Sequence, residues 1–483
     1  MKDKIWIFIL IWIAFFSKGL ISSDPDFFWH IKVGEIIATS GIPNTDPFSF
    51  TMPSYPFVDH EWLTDLVTFK IYPFTSTIGL SFIYASFAVL SLMLVTLKGK
   101  WAIIPLILSA SLLISFAGIR PQIISWLLVA VILKITLDDK LWQRWRLVLP
   151  SIFIIWANLH GGFAVGVGII LLVIITKIWQ AKRFLLSDFL IFIFSILATL
   201  VTPYGVNLWK EVWNSFSDTS LRWSVAEWHP ILAYFDLTFL ILFALSIFLA
   251  LKYRAYFDLK LAPVYTILTL MGFSSARNVP FWVLINIPLL SFCFEELFKA
   301  VKNHQVKLRR FNIAYKILLV LTVLISAYHI TTSFKTDLEW SAEKLYPTKA
   351  ISFLKQNPPQ GEIFALYDWG GYLILNYPEK KVFIDGRMPS WRWNPPSNRE
   401  SSNAYKEYRD IIFHGKDFTE IFDKYNIQTV LWSAIPGRES KQPKSFTKRL
   451  QETGWKKIYG DEVAVIYKRY SLLPPPPKIG DSI

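Results

Sequence analysis

SSDPDFFWHIKVGEIIATSGIPNTDPFSF, residues 22–50, with VDHEWL at 58–63, follows directly on an almost wholly apolar run at 4–22. About 20 apolar residues are needed to cross the hydrocarbon layer of a bilayer. The run at 4–22 is therefore expected to span, and the stretch after it to emerge at one membrane face as a long loop, residues 23–65. Asp24 and Asp26 stand just past the span and begin an amphipathic stretch, 27–39, expected to lie along the membrane surface. Carboxylates in that position stay hydrated and ionised. They either cap the surface helix or act as a general base with a cation ligand beside it.

Working outward from this loop, eleven spans are expected, near 4–22, 76–97, 101–118, 122–137, 146–158, 163–179, 186–202, 235–251, 259–274, 279–298 and 313–333. Between them, Lys and Arg cluster at Lys2/Lys4, Lys98/Lys100, Lys140/Arg144/Arg146, Lys177/Lys182/Arg183, Lys252/Arg254/Lys260 and from Lys299 to Arg310. Basic loops mark the cytoplasmic side. Asp24, Asp26, His60, Glu61, Arg120, His160, Glu227 and Arg277 all fall in or beside the alternate loops, so a polar constellation is expected on the extracytoplasmic face. A basic start before an apolar core also suits a signal peptide, but residues 17–20 offer no small-x-small cleavage site, so an uncleaved anchor is expected. With an odd number of spans the N-terminus is cytoplasmic and the C-terminus outside.

Composition agrees with a polytopic protein. Of 483 residues, 53% are hydrophobic, 17% aromatic and only 18% charged, and the 21 tryptophans suit an interfacial belt. The formal charge of +14 raises nucleic acid as a partner, but the bases sit in short loops between apolar runs, where they orient helices and attract anionic headgroups. No nucleic-acid partner is expected. Cys293, the one cysteine, lies in the apolar stretch 289–294, which excludes an intramolecular disulfide and a cysteine metal cluster. No repeat, P-loop, GxGxxG fingerprint or nucleophile elbow is present.

Beyond residue 335 the apolar runs shorten. Strand-length segments at 362–367, 381–384, 429–432 and 463–467 alternate with amphipathic stretches at 342–355 and 418–425, so 336–470 is expected to be a soluble α/β domain. Pro474 to Pro477 mark 471–483 as a Pro-rich tail. The expected fold class is thus a polytopic α-helical membrane bundle, residues 1–335, with a C-terminal soluble α/β domain.

The motifs DPDFFWHIKVGEIIATSGIPNTDPFSF, HEWL, IRPQ, WANLHGGF, TPYG, AEWHP, RNVPF, WGGYLI and VFIDGR, in that order, resemble a group of bacterial members of the GT-C superfamily of integral-membrane glycosyltransferases. That superfamily includes protein O-mannosyltransferases and the catalytic subunits of oligosaccharyltransferases. The resemblance covers nearly the whole chain. It implies inverting transfer of a sugar from a polyprenyl-phosphate carrier to a glycan, lipid or protein acceptor at the outer face of a bacterial inner membrane. Asp24 or Asp26 then matches the first-loop aspartate that acts as base or metal ligand. The chain departs from the mannosyltransferases in lacking an adjacent Asp-Glu pair, and from the oligosaccharyltransferases in lacking a WWD-type signature, which argues against asparagine glycosylation.

That chemistry makes demands on the other polar residues. A phosphate leaving group gains negative charge, so Arg120 and Arg277, where outer loops meet spans, are candidate phosphate contacts; snorkelling is their alternative role. His160 lies in a turn whose glycines permit close approach of a donor, or it simply satisfies that turn. Asp24, Asp26, His60 and Glu61 are candidate ligands for a divalent cation, magnesium or manganese rather than zinc, although Glu61 also suits a helix cap. Glu227, Asp385 and Arg387 are candidates on the acceptor side; the Asp385/Arg387 pair also suits a turn with a surface ion pair, and the aromatics of WGGY either stack on a sugar or pack. A secondary transporter would need acids at the midplane of broken helices and inverted repeats. A non-catalytic assembly protein of envelope glycan synthesis would use the outer domain to bind a partner.

Overall fold

The computed structural model describes residues 4–22, 24–219, 221–254, 259–339, 342–435 and 445–469. The expected tail at 471–483, and Ser23 at the start of the first loop, lie outside the described residues. The chain forms two compact units. One comprises Met1–Asp24 and Val58–Glu339, the other Pro25–Phe57 and Trp340–Ile483.

The first unit is helical. Among the described residues, four helices are long and apolar enough to cross a membrane: Trp62–Val95, Phe163–Ala181, Ala276–Val301 (with its 3-10 first turn) and Gln305–Glu339. Six further apolar helices are shorter: Ile5–Ile21, Lys100–Phe116, Gln122–Thr136, Leu186–Ala198, Leu237–Tyr253 and Leu261–Ser274. Leu149–Leu159 is shorter still at 11 residues, a rise of roughly 16 Å. Each stretch expected to span falls on one of these eleven helices, but the crossing length belongs to four. Trp62–Val95 contains Pro73 and breaks at Ser76 (φ 52°), which divides a first segment from the apolar run expected to begin near 76. Close packing uses small residues: a Cβ on Gly19 would come within 2.9 Å of the Ser81 hydroxyl, and one on Gly166 within 2.3 Å of Trp156.

Polar residues alternate along this unit with the helices. Asp24, Arg120, His160 and Arg277 follow the C-terminal ends of Ile5–Ile21, Lys100–Phe116, Leu149–Leu159 and Leu261–Ser274, and Glu227 lies in the connection from Leu186–Ala198 to Leu237–Tyr253, after the short helix Leu221–Ser224. The Lys/Arg clusters follow or close the helices in between.

The second unit carries a four-stranded sheet. Its strands are β1 (Glu362–Ala365), β2 (Ile427–Ser433), β3 (Trp455–Gly460) and β4 (Ala464–Arg469), in spatial order β1-β2-β4-β3. β1 and β2 are parallel, and the other pairings are antiparallel. The stretch 381–384, expected as a strand, is not one. Val382 forms an isolated bridge to Ser49, with its N–H on the Phe48 carbonyl at 2.9 Å and its carbonyl taking the Phe50 N–H at 3.1 Å. Its apolar side chains are buried, as a strand's would be, but its backbone partner is a loop rather than the sheet.

That pairing reflects a division of the chain that differs from the expected one. Segment 25–57 contributes Trp29, Val33, Phe48, Met52, Tyr55 and Phe57 to the core of the second unit. The amphipathic helix Phe27–Ser40 packs its apolar face against the Gly370–Asn376 helix, so the stripe expected to lie on a membrane surface is covered by protein.

Candidate functional site: two polar clusters of the helical unit

Four of the expected residues meet in the first unit although they come from four separate loops. Asp24 leaves the end of Ile5–Ile21, and its Oδ2 lies 2.5 Å from Arg120 Nε. Arg120 stands one residue before Pro121, which opens the Gln122–Thr136 helix, and its Nη1 donates to Glu227 Oε1 at 2.8 Å. Glu227 sits on the 3-10 turn Ala226–Trp228, and its other oxygen faces Arg277 Nη1 at 3.9 Å. The last two loops are tied together by backbone. Ser275 donates its hydroxyl to the Glu227 carbonyl at 3.1 Å, and the Ala276 N–H donates to the His229 carbonyl at 2.9 Å. Arg277 also lies over the Trp228 ring at 5.5 Å, a cation–π contact.

A second cluster centres on Glu61. At the N-cap position of Trp62–Val95 it makes no side-chain cap bond, so the capping role expected as its alternative is not used. Its Oε1 instead lies 3.2 Å from His160 Nε2 and 3.4 Å from His60 Nε2. The Gly162 N–H donates to His160 Nδ1 at 2.9 Å, and the Ser125 hydroxyl is 2.7 Å from the same atom. Nδ1 is therefore the acceptor, and the network assigns the ring proton to Nε2, which faces Glu61. The glycines of this turn do give close approach, but to protein: a Cβ on Gly161 would meet His60 at 2.8 Å, and one on Gly162 would meet Ser125 Oγ at 2.3 Å.

Two further carboxylates join this cluster. Asp59 and Asp65 are fully buried, and the Glu61 N–H donates to Asp59 Oδ1 at 2.9 Å. Burial, then the charge of Asp65, pushes the Asp59 carboxyl well above the usual carboxylate range. Loss of water disfavours protonation of His60, but Glu61 and Asp59 outweigh it and hold its pKa above the ordinary imidazole value; the Arg277 charge acts in the opposite sense, so the two clusters feel one another. Glu61 and Asp65 bring carboxylate oxygens within 4.8 Å of one another, and the Asp65 side chain is hydrogen-bonded to that of Asp59. Paired buried carboxylate oxygens such as those of Glu61 and Asp65 suit a hard divalent cation. Asp59 and Asp65 were not singled out from sequence. The signal was the spacing of Asp59, Glu61 and Asp65, the last two one helical turn apart.

The remaining expected residues belong to the second unit. Asp26 occupies the N-cap position of Phe27–Ser40 without a cap bond; its Oδ1 accepts the Trp29 indole N–H at 2.9 Å. It presses on Gly386, where a Cβ would stand 2.0 Å from that oxygen. Asp385 and Arg387 are not a surface ion pair. Arg387 forks onto Asp385 at 2.8 and 2.7 Å and reaches Asp46 at 2.8 Å, with the three side chains 0 to 4% exposed. Phe48, Phe57 and Trp391 lie 4.8 to 5.2 Å from its guanidinium. Burial opposes the charge, but the two carboxylates hold the Arg387 pKa above its ordinary value. In the WGGY motif, Trp369 is fully buried and donates to the Leu345 carbonyl at 2.7 Å, while a Cβ on Gly370 would meet the Ile384 carbonyl at 2.4 Å. These residues are spoken for by packing.

No family model matches the chain, and no curated protein matches it. Among solved structures, the apo form of the Archaeoglobus fulgidus oligosaccharyltransferase is similar, at 11% sequence identity over 88% of this chain and 69% of that chain, with a TM-score of 0.49.

Proposed function

We propose that the chain is an integral-membrane glycosyltransferase of about eleven spans that moves a sugar from a polyprenyl-phosphate-linked donor to an acceptor. In this reading the reaction takes place at the extracytoplasmic face of a bacterial inner membrane, with the N-terminus cytoplasmic and the C-terminal domain outside. The observation that carries the reading is the meeting of Asp24, Arg120, Glu227 and Arg277 from four loops at the ends of apolar helices. The Asp24 carboxylate beside Arg120, with Arg277 reached through Glu227, provides the two things the chemistry needs, a proton acceptor and a seat for a leaving phosphate. The ordered motif series adds support independent of geometry.

The residues divide the work as follows. The acceptor's nucleophilic oxygen attacks the anomeric carbon as its proton passes to the Asp24 carboxylate. The bond from that carbon to the phosphate oxygen breaks, and its electron pair leaves with the phosphate. A single displacement of this kind inverts the anomeric centre. Arg120 and Arg277 meet the charge that develops on the phosphate, and the Arg120 Nε contact with Asp24 sets base and phosphate seat in one frame. His60, Glu61 and His160 line the adjoining wall. Glu61 and Asp65 are the residues that would hold magnesium or manganese, whose charge supplies electrostatic stabilisation when bound. Asp26 orders the second unit instead, and Asp385 and Arg387 support that unit's fold.

Asparagine substitution separates the two first-loop aspartates. Asp24→Asn removes the base and should lower transfer by about 10²- to 10⁴-fold at normal expression. Asp26→Asn keeps an oxygen for Trp29 and should retain most activity. Full transfer by Asp24→Asn would reject the assignment.

A further inference from the structure

Glu227 occupies the space between two guanidiniums that a phosphate would occupy. Its Oε1 takes Arg120 Nη1 at 2.8 Å and its Oε2 faces Arg277 Nη1 at 3.9 Å, one oxygen to each arginine. The two arginines do not need it for their placement. Arg120 is held from its other side by Asp24 at 2.5 Å, and Arg277 by the Trp228 ring at 5.5 Å. We infer that Glu227 is a displaceable lid on the phosphate seat, which swings out when the phosphate of a prenyl lipid enters and returns when it leaves. The inference rests on the transferase reading and adds to it the regulation of that seat.

The exposures distinguish Glu227 from its partner acid. Its side chain is 41% exposed, against 15% for Asp24, so Glu227 can turn to water at little loss while Asp24 cannot. Its longer contact lies at the limit of an ion pair and carries no directional hydrogen bond. The donor's phosphodiester matches the single charge of the carboxylate it displaces, and the prenyl phosphate monoester left after transfer offers three acceptor oxygens and more charge, so it competes well for two guanidiniums. With Glu227 turned away, Arg120 and Arg277 against Asp24 leave one net positive charge to receive it. The loop that carries Glu227 also carries exposed apolar side chains suited to an acyl or prenyl chain: Trp213, Phe216, Trp223, Leu232 and Phe235. The helix Val206–Ser217 buries only Leu208.

Binding of farnesyl phosphate and of inorganic phosphate to the purified full chain in lipid nanodiscs tests this, using the wild type, Glu227→Gln, Glu227→Ala and Glu227→Gln/Arg277→Ala. Both single variants should bind farnesyl phosphate roughly two- to fivefold more tightly than wild type, the worth of a partly exposed ion pair. The double variant should lose that gain, and inorganic phosphate should compete only at concentrations at least tenfold higher. Unchanged or weaker binding by both single variants, with wild type binding normally, overturns the lid and leaves the transferase reading standing. Equal potency of inorganic phosphate overturns the lipid as occupant. If no form binds farnesyl phosphate, the transferase reading falls together with the lid.

Discussion

Arg120 and Arg277 are both interfacial arginines in sequence, yet their surroundings make them unequal. Arg120 uses Nε for Asp24 and Nη1 for Glu227, a division only a guanidinium can make. Arg277 offers one loose contact to Glu227 and a face to Trp228. Lysine keeps a point charge but has no fork, so Arg277→Lys should retain clearly more transfer than Arg120→Lys, and alanine should lose more than lysine at both positions. Initial rates with a prenyl-phosphate sugar measure this, and equal tolerance of alanine at both would remove them from the mechanism. The residues of this cluster were legible in sequence because ionisable groups at span ends are few. Their pairing was not, since nothing in a linear spacing says that Glu227, expected on the acceptor side, reaches both arginines.

At the scale of elements, the turn into Trp62–Val95 and the pairing of segment 44–57 with 381–388 carry separate predictions. If Glu61 and Asp65 hold a hard cation, chelation should abolish transfer and magnesium or manganese should restore it where zinc does not. Transfer that survives exhaustive chelation would remove the metal from the mechanism. Arg387→Met, in contrast, should leave two buried carboxylates without their cation and destabilise the second unit by about 3–5 kcal/mol, seen as a lower melting temperature of the purified chain. An unchanged melting temperature would show that Asp46 and Asp385 find other partners. Asp385 and Arg387 are adjacent enough in sequence to suggest a pair. Asp46 is 341 residues from Arg387, and that distance concealed both the burial of the pair and the recruitment of 25–57 into the second unit. Strand β3 escaped notice for a different reason: Lys456 and Lys457 leave its WKKIYG mostly exposed, without the apolar alternation that marks a half-buried strand.

For the whole molecule, the helical class was legible because apolar runs of span length have few soluble explanations, and the alternation of basic and acidic loops supplied an orientation. Helix lengths were less so: Arg146–Val148 is a 3-10 turn, so the helix expected from 146 starts at Leu149 and runs only 11 residues. The orientation predicts that single cysteines at Ser40 and at Lys355, in a background lacking Cys293, are both labelled from outside intact cells, while one at Lys140 is labelled only after permeabilisation. Labelling of Ser40 and Lys140 from the same side would reject it. The transfer itself is tested most directly by extracting lipid-linked sugars and surface glycans from a strain deleted for the gene and complemented with wild type or Asp24→Asn. Loss of a surface glycan together with build-up of its polyprenyl-phosphate sugar, reversed by wild type and not by Asp24→Asn, is the expected result; an unchanged lipid-linked pool and unchanged glycans in the deletion strain would contradict a glycosyltransferase.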